Sequence, residues 1–192
     1  ILNKLTYFYS LELSFLLMST LFIKDNFFST ERHKTLCEEM LQISYKPPPS
    51  EMRKKSKSCY WHEFVLSNGD PTQIEIGQLI QKYFYYEVQS WWRTIYTMVG
   101  PAPGHSADPH TDKDEGRIHY QCLIYIMGDE RITNGTGFFT TKKIGDKVEN
   151  TLSNHIGFKP NRAIFFDSDI KHTPLHWSGE SSFRYSIGNF FK

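Results

Sequence analysis

The chain has 192 residues, with 22 Lys and Arg against 21 Asp and Glu and a formal net charge of +1. That length supports one domain, or one domain with a short extension, and the balanced charge lacks the footprint of a general nucleic-acid or anionic-membrane binder. A hydrophobic share of 39% with 16% aromatics excludes a disordered chain and favours strands over a helical bundle. Cys37, Cys59 and Cys122 are odd in number and unrelated in spacing, which argues against a disulfide framework or a paired-cysteine zinc site and suits a reducing, cytoplasmic location.

Residues 1–23 are apolar in two stretches broken by Glu12. They are too short and interrupted for a membrane-spanning helix, which needs about 20 consecutive apolar residues, so no stable membrane insertion is expected. Lys4 would suit the basic end of a signal segment, but no small-x-small cleavage site follows. Met18 reads as a natural start. Residues 1–18 are therefore expected to be a leader or upstream extension, and 19–192 a single domain, with a signal segment as the alternative.

From there the elements follow in order. Leu21–Ile23 reads as a short strand. Ser29 caps a helix with Glu31 in its first turn, and Leu36, Cys37, Met40 and Leu41 mark its apolar face. Residues 46–58, with three prolines and the basic run Arg53–Lys57, read as a loop with a solvated charged face. Asp70 followed by Pro71 starts a second helix, in which Ile76, Leu79, Ile80, Tyr83 and Phe84 recur at helical spacing. After Glu87 the pattern turns to strands: Trp91–Val99, Ile118–Met127, Gly137–Thr141, Ala163–Asp167 and Phe183–Phe191, separated by Gly, Asn, Asp and Pro. Two helices before a run of short strands predict an α+β, mainly β protein, a sandwich or barrel with a helical flank.

The chemistry-bearing residues lie in the strand half. His110 and Asp112 are two positions apart, so in an extended segment both side chains point to one face. The strand Ile164–Phe166 leads into Asp167–His172, which brings a second histidine to a strand end, with His176 a competing candidate four residues on. Two histidines and one carboxylate, with coordination positions left open, form the ligand set favoured by non-haem Fe(II) oxygenases. In Phe183–Phe191, alternation places Arg184 and Ser186 on one face and Phe183, Tyr185 and Ile187 on the other. An arginine facing a barrel interior is costly unless paired. A ligand carboxylate held by both arms of the guanidinium, with the Ser186 hydroxyl beside it, would satisfy it.

Taken together, His110-x-Asp112, His172 and Arg184-x-Ser186 make the sequence resemble the 2-oxoglutarate/Fe(II)-dependent oxygenases, in particular the prolyl-hydroxylase-like branch. Tyr125 in Leu123–Ile126, Gly135–Phe139, Asn161–Ser168 and the opening Phe22–Ser29 add local likeness, so the resemblance spans about residues 21–191. It implies a double-stranded β-helix, the jelly-roll or cupin-like fold, flanked by N-terminal helices. It also implies Fe(II) on His110, Asp112 and His172, with Arg184 on the distal carboxylate of 2-oxoglutarate and Tyr125 and Ser186 as further co-substrate contacts. His172 rather than His176 is the distal ligand by the same resemblance. The implied reaction uses O2 to convert 2-oxoglutarate to succinate and CO2 while hydroxylating a C–H bond of a peptidyl, amino-acid-like or small-metabolite substrate. Related halogenases carry a small residue in place of the ligand carboxylate, so Asp112 favours hydroxylation. No nucleic-acid partner is expected. Two rival readings are a non-catalytic jelly-roll protein that binds a metal or carboxylate, and a cupin-like metalloenzyme that does not use 2-oxoglutarate. Neither has a reason to keep an inward Arg184-x-Ser186.

Overall fold

The computed structural model describes residues 20–47, 61–100, 108–114, 117–130, 133–175 and 183–192. The expected leader, the basic run 53–57, Cys59, His105, His176 and Trp177 lie outside them. In chain order the elements are β1 (Leu21–Asp25), α1 (Thr30–Gln42), β2 (Trp61–Val65), α2 (Pro71–Phe84), β3 (Trp91–Val99), β4 (Tyr120–Met127), β5 (Gly135–Ile144), β6 (Lys147–Gly157), β7 (Arg162–Asp167), β8 (Lys171–Leu175) and β9 (Arg184–Phe191). Both helices start where their caps predict. The Ser29 side chain accepts from the Arg32 amide at 3.2 Å, and Asp70 accepts from the Thr72 amide at 2.8 Å with Pro71 opening the helix. On α1, Leu36 and Met40 are buried as expected, but Leu41 is 59% exposed and falls outside the apolar face.

The strands form two antiparallel sheets. The larger has the order β1-β7-β4-β9-β3-β2, and the smaller β6-β5-β8. An isolated antiparallel bridge between His110 and His172 adds the His110 segment beside β8. This is a double-stranded β-helix, or jelly roll, with helices on one flank. Period-2 alternation divides the large sheet between two cores. Cys122, Ile124 and Ile126 of β4, Ala163 and Phe165 of β7, and Ile187 and Phe191 of β9 pack with Leu36, Met40, Ile76 and Ile80 of the helices. The intervening residues Tyr125, Ile164 and Phe166 turn the other way and pack with Phe138, Ile156 and Phe158 between the sheets. Each fully buried large side chain contributes about 1.5–3 kcal/mol, so the large sheet is secured from both faces.

Three strands, β2, β6 and β8, have no counterpart among the sequence expectations, and β5 is longer than expected. β6 has nine exposed positions before Ile156, and it exists because it pairs along its length with β5. β5 runs beyond the expected Gly137–Thr141 for the same reason. β2 was hidden next to the polar 46–58 segment, and it is held by β3. At the other end of the sheet, Asn161 fastens the N-terminal element. It adopts a left-handed backbone (φ 60), accepts from the Phe28 amide at 2.8 Å and donates to the Phe28 carbonyl at 2.9 Å. Asp25 on β1 is tied to β7 by Arg162 at 2.6 Å and to Lys159 at 3.0 Å. Among the described residues no helix is long and apolar enough to cross a membrane.

Candidate active site

The bridge that joins the His110 segment to β8 sets the site. His110 and His172 exchange backbone hydrogen bonds, His110 N–H to His172 O at 3.0 Å and the reverse at 2.9 Å. That pairing brings their imidazoles together, with ring centroids 4.9 Å apart and planes tilted by 46°. Asp112, two residues on, falls on the same side. His172 Nε2 lies 3.2 Å from Asp112 Oδ2 and His110 Nε2 lies 3.8 Å from Asp112 Oδ1. One ligand atom from each of the three lies within 4.8 Å of the others, and this is the one such group among the described residues.

The hydrogen bonds on the far side of each ring define what the near side offers. His172 Nδ1 is 3.0 Å from the Ile170 carbonyl and His110 Nδ1 is 3.1 Å from the Asp108 carbonyl. A carbonyl can only accept, so Nδ1 carries the proton in both rings and Nε2 of the neutral ring presents a lone pair. Two lone pairs then face a carboxylate, three electron-rich groups around one point. A cation there relieves the repulsion, and the backbone carbonyls supply the orientation that metal-ligating histidines require. Burial pushes the Asp112 carboxyl up. When the two rings are protonated instead, the hydrogen bond and charge of His172, then the charge of His110, more than offset this, and the neighbouring Gln121 side chain adds to them, so the carboxyl lies below the ordinary carboxylate range. His172 is held from behind by Phe166, edge-on at 4.9 Å between centroids. The donor set and its support fit a divalent transition metal.

Deeper between the sheets lies Arg184, only 3% exposed. Its Nη1 donates to the Gly135 carbonyl at 2.9 Å, and its Nε has no hydrogen-bond partner among the described residues. The Tyr125 ring lies 5.7 Å from the guanidinium carbon. Among the described residues no carboxylate accompanies this cation, and burial pulls its pKa down. A buried arginine left in that state is a poised anion receptor. Around it, the Tyr125 hydroxyl bonds Thr136 Oγ1 at 2.7 Å and the Ser186 hydroxyl bonds Thr97 Oγ1 at 2.8 Å. Gly135 is required here: an added Cβ would lie 2.0 Å from the Ile156 carbonyl oxygen, so a side chain would break the β5–β6 contact that aims its carbonyl at Arg184.

All six sequence-predicted site residues therefore face the space between the sheets, His110, Asp112 and His172 at one level and Arg184, Ser186 and Tyr125 at another. Sequence reasoning missed Gln121, Thr136 and Thr97. For Gln121 a signal was available, because alternation along β4 places it on the face of Tyr125.

The jelly roll with helices on one flank is an architecture that solved structures share. A Pseudomonas putida prolyl-4-hydroxylase superposes with a TM-score of 0.62 at 12% identity, covering 92% of this chain and 95% of that one. A Trichoplax adhaerens prolyl hydroxylase, in complex with a hypoxia inducible factor oxygen degradation domain peptide fragment, gives 0.60 at 11% identity over 89% of this chain and 82% of that one. The epimerase SnoN, in complex with Fe3+, alpha ketoglutarate and nogalamycin RO, gives 0.60 at 8% identity over 91% and 79% respectively. At such identities the likeness establishes the fold. No protein-family model matches the chain, and no curated protein matches it in sequence.

Proposed function

We propose that this protein is a 2-oxoglutarate- and Fe(II)-dependent dioxygenase that hydroxylates a C–H bond of a peptidyl, amino-acid-like or small-metabolite substrate, releasing succinate and CO2. The observation that carries the reading is the pairing of two incomplete sites in one interior: three converging metal donors and a buried arginine whose Nε has no partner. A bifunctional molecule with a chelating end and a distal carboxylate completes both.

In this reading His110 and His172 donate Nε2 and Asp112 a carboxylate oxygen, and all three stay fixed by backbone pairing and by the Nδ1 bonds. When bound, Fe(II) supplies the oxidative chemistry, which belongs to the cofactor rather than to any side chain. Arg184 grips the distal carboxylate in a dry pocket, where a charge-assisted bond is roughly twice as strong as a neutral one. The Tyr125 and Ser186 hydroxyls, already paired to Thr136 and Thr97, border that pocket and set its depth. The fold of the two prolyl hydroxylases supports a peptidyl substrate within this class, and the reducing location expected from the cysteines would keep the iron ferrous. The test is metal-dependent succinate release from 2-oxoglutarate. It is expected in the native protein and absent in His172→Ala, and turnover persisting in that variant would end the assignment.

A further inference from the structure

Beyond the metal donors and the arginine anchor, the inner face of the large sheet carries a third feature that neither uses. β3 has a bulge between Trp91 and Arg93 where it pairs with β9: Trp91 lies opposite Phe191 and Arg93 opposite Phe190, so Trp92 is the extra residue. Bulges concentrate beside active sites, where they re-aim side chains. Here Trp92 meets Phe190 edge-to-face, with centroids 5.8 Å apart and planes at 85°. The Arg93 guanidinium carbon sits 6.0 Å from the Trp92 ring. Phe190 in turn lies opposite Gln121 across the β4–β9 ladder, and Gln121 is the side chain next to Asp112. With about 4.8 Å between neighbouring strands, Phe190 on β9 lies one strand from Gln121, Trp92 and Arg93 on β3 lie two away, and β2 beyond them lies three.

Arg93 does not point straight out of the sheet. It forms an ion pair with Glu63, which is in register with Thr97, four residues further along β3. The guanidinium therefore lies along the inner face toward β2, on the side of β3 away from β9. The pair is largely desolvated, with Arg93 16% and Glu63 10% exposed. An ion pair in such a place is a poor source of stability. Trp92 at 38% exposure leaves an aromatic surface open beside it. Among the described residues Arg93 makes no other side-chain hydrogen bond.

We propose that Trp92, Phe190 and the Arg93–Glu63 pair seat the substrate, taking an apolar ring or chain on the aromatic pair and a neutral amide on the ion pair. A neutral amide matches the pair: its carbonyl accepts from Arg93 and its N–H donates to Glu63. A free carboxylate gains Arg93 but meets Glu63 with like charge, which is discrimination by repulsion. Glu63 is thus a positioning and selecting residue, holding Arg93 along the sheet and turning acids away. This deepens the dioxygenase reading and rests on it.

The test uses the full chain, loaded with Mn(II) and 2-oxoglutarate and separately without them. The probes are N-acetyl amino-acid amides and the matching N-acetyl amino acids with Pro, Leu and Phe side chains, titrated by ligand-observed NMR. The native protein is expected to favour amides about tenfold or more. Glu63→Gln should bring the ratio near one by improving binding of the acids, an effect that loss of a structural clamp would not produce. Trp92→Ala, with Trp92→Phe as the milder variant, should weaken both series together, and Ile144→Ser on the far hairpin should change neither. No amide binding in either state, or an amide-to-acid ratio unaltered by Glu63→Gln, overturns the proposal. Failure of 2-oxoglutarate to bind the Mn(II) protein would instead overturn the dioxygenase reading, and thermal shift reads that separately.

Discussion

Replacing Arg184 by methionine separates a residue that binds a ligand from one that supports the fold. Methionine keeps the length and apolar stem but removes a cation that is 3% exposed and has, among the described residues, one protein hydrogen bond, to the Gly135 carbonyl. Losing that bond costs about 1 kcal/mol, but the substitution also removes a buried charge whose desolvation no carboxylate among the described residues offsets. The ligand-free melting temperature should therefore hold or rise. Binding of 2-oxoglutarate should collapse. Two charge-assisted bonds to its distal carboxylate are worth about 1.5–3 kcal/mol each, so the loss is about 3–6 kcal/mol, or about two to four orders of magnitude in Kd. At a co-substrate concentration of about 100 Kd the native Mn(II) protein gains about 2.7 kcal/mol, which is about 5–11 °C for a chain of this size. At the same concentration Arg184→Met should gain about 0.4 kcal/mol or less, a shift of about 1 °C. Differential scanning fluorimetry with and without 2-oxoglutarate reads both effects. A ligand-free loss of about 3–5 kcal/mol, the signature of a broken buried pair, or a shift as large as that of the native protein would refute the reasoning.

Other substitutions address the scaffold. Asn161→Ala strands the Phe28 amide and carbonyl, each costing about 1–3 kcal/mol when buried and unpaired, and puts alanine at φ 60. Urea denaturation should show a loss of about 2–6 kcal/mol, and a loss below about 1 kcal/mol would mean the N-terminal element is held elsewhere. Gly135→Ala puts a Cβ 2.0 Å from the Ile156 carbonyl oxygen; it should lower the melting temperature and weaken 2-oxoglutarate binding together, and retention of both would show that β5 and β6 can part there. The hydrogen bond from Arg162 holds the Asp25 carboxyl down to about 2 from 3.8, with burial opposing and Lys159 assisting. Because the folded value is the lower one, this stability is present above about pH 4 and is lost as pH falls toward about 2. Subtracting the Asp25→Asn stability curve from the native one should leave a slope confined to that window, and a flat difference would count against the pair.

The sequence by itself determined the local rules: helix starts at Ser29 and Asp70, and alternation along β4, β7 and β9 that assigns each residue a face. It also carried the inventory of donors, because His110 and Asp112 at a spacing of two share a face in any extended segment. What it could not carry was pairing. β6 has no apolar pattern of its own and is a strand only because β5 lies beside it. The bridge that sets His110 against His172 joins segments far apart in the chain, and the orphaned Nε of Arg184 becomes visible only once its surroundings are in place. The bulge at Trp92 is a mismatch between two strands, so neither strand's sequence contains it. Face and chemistry are properties of a residue and its near neighbours, whereas register, desolvation and missing partners depend on which distant segments meet, and those the tertiary structure alone decides.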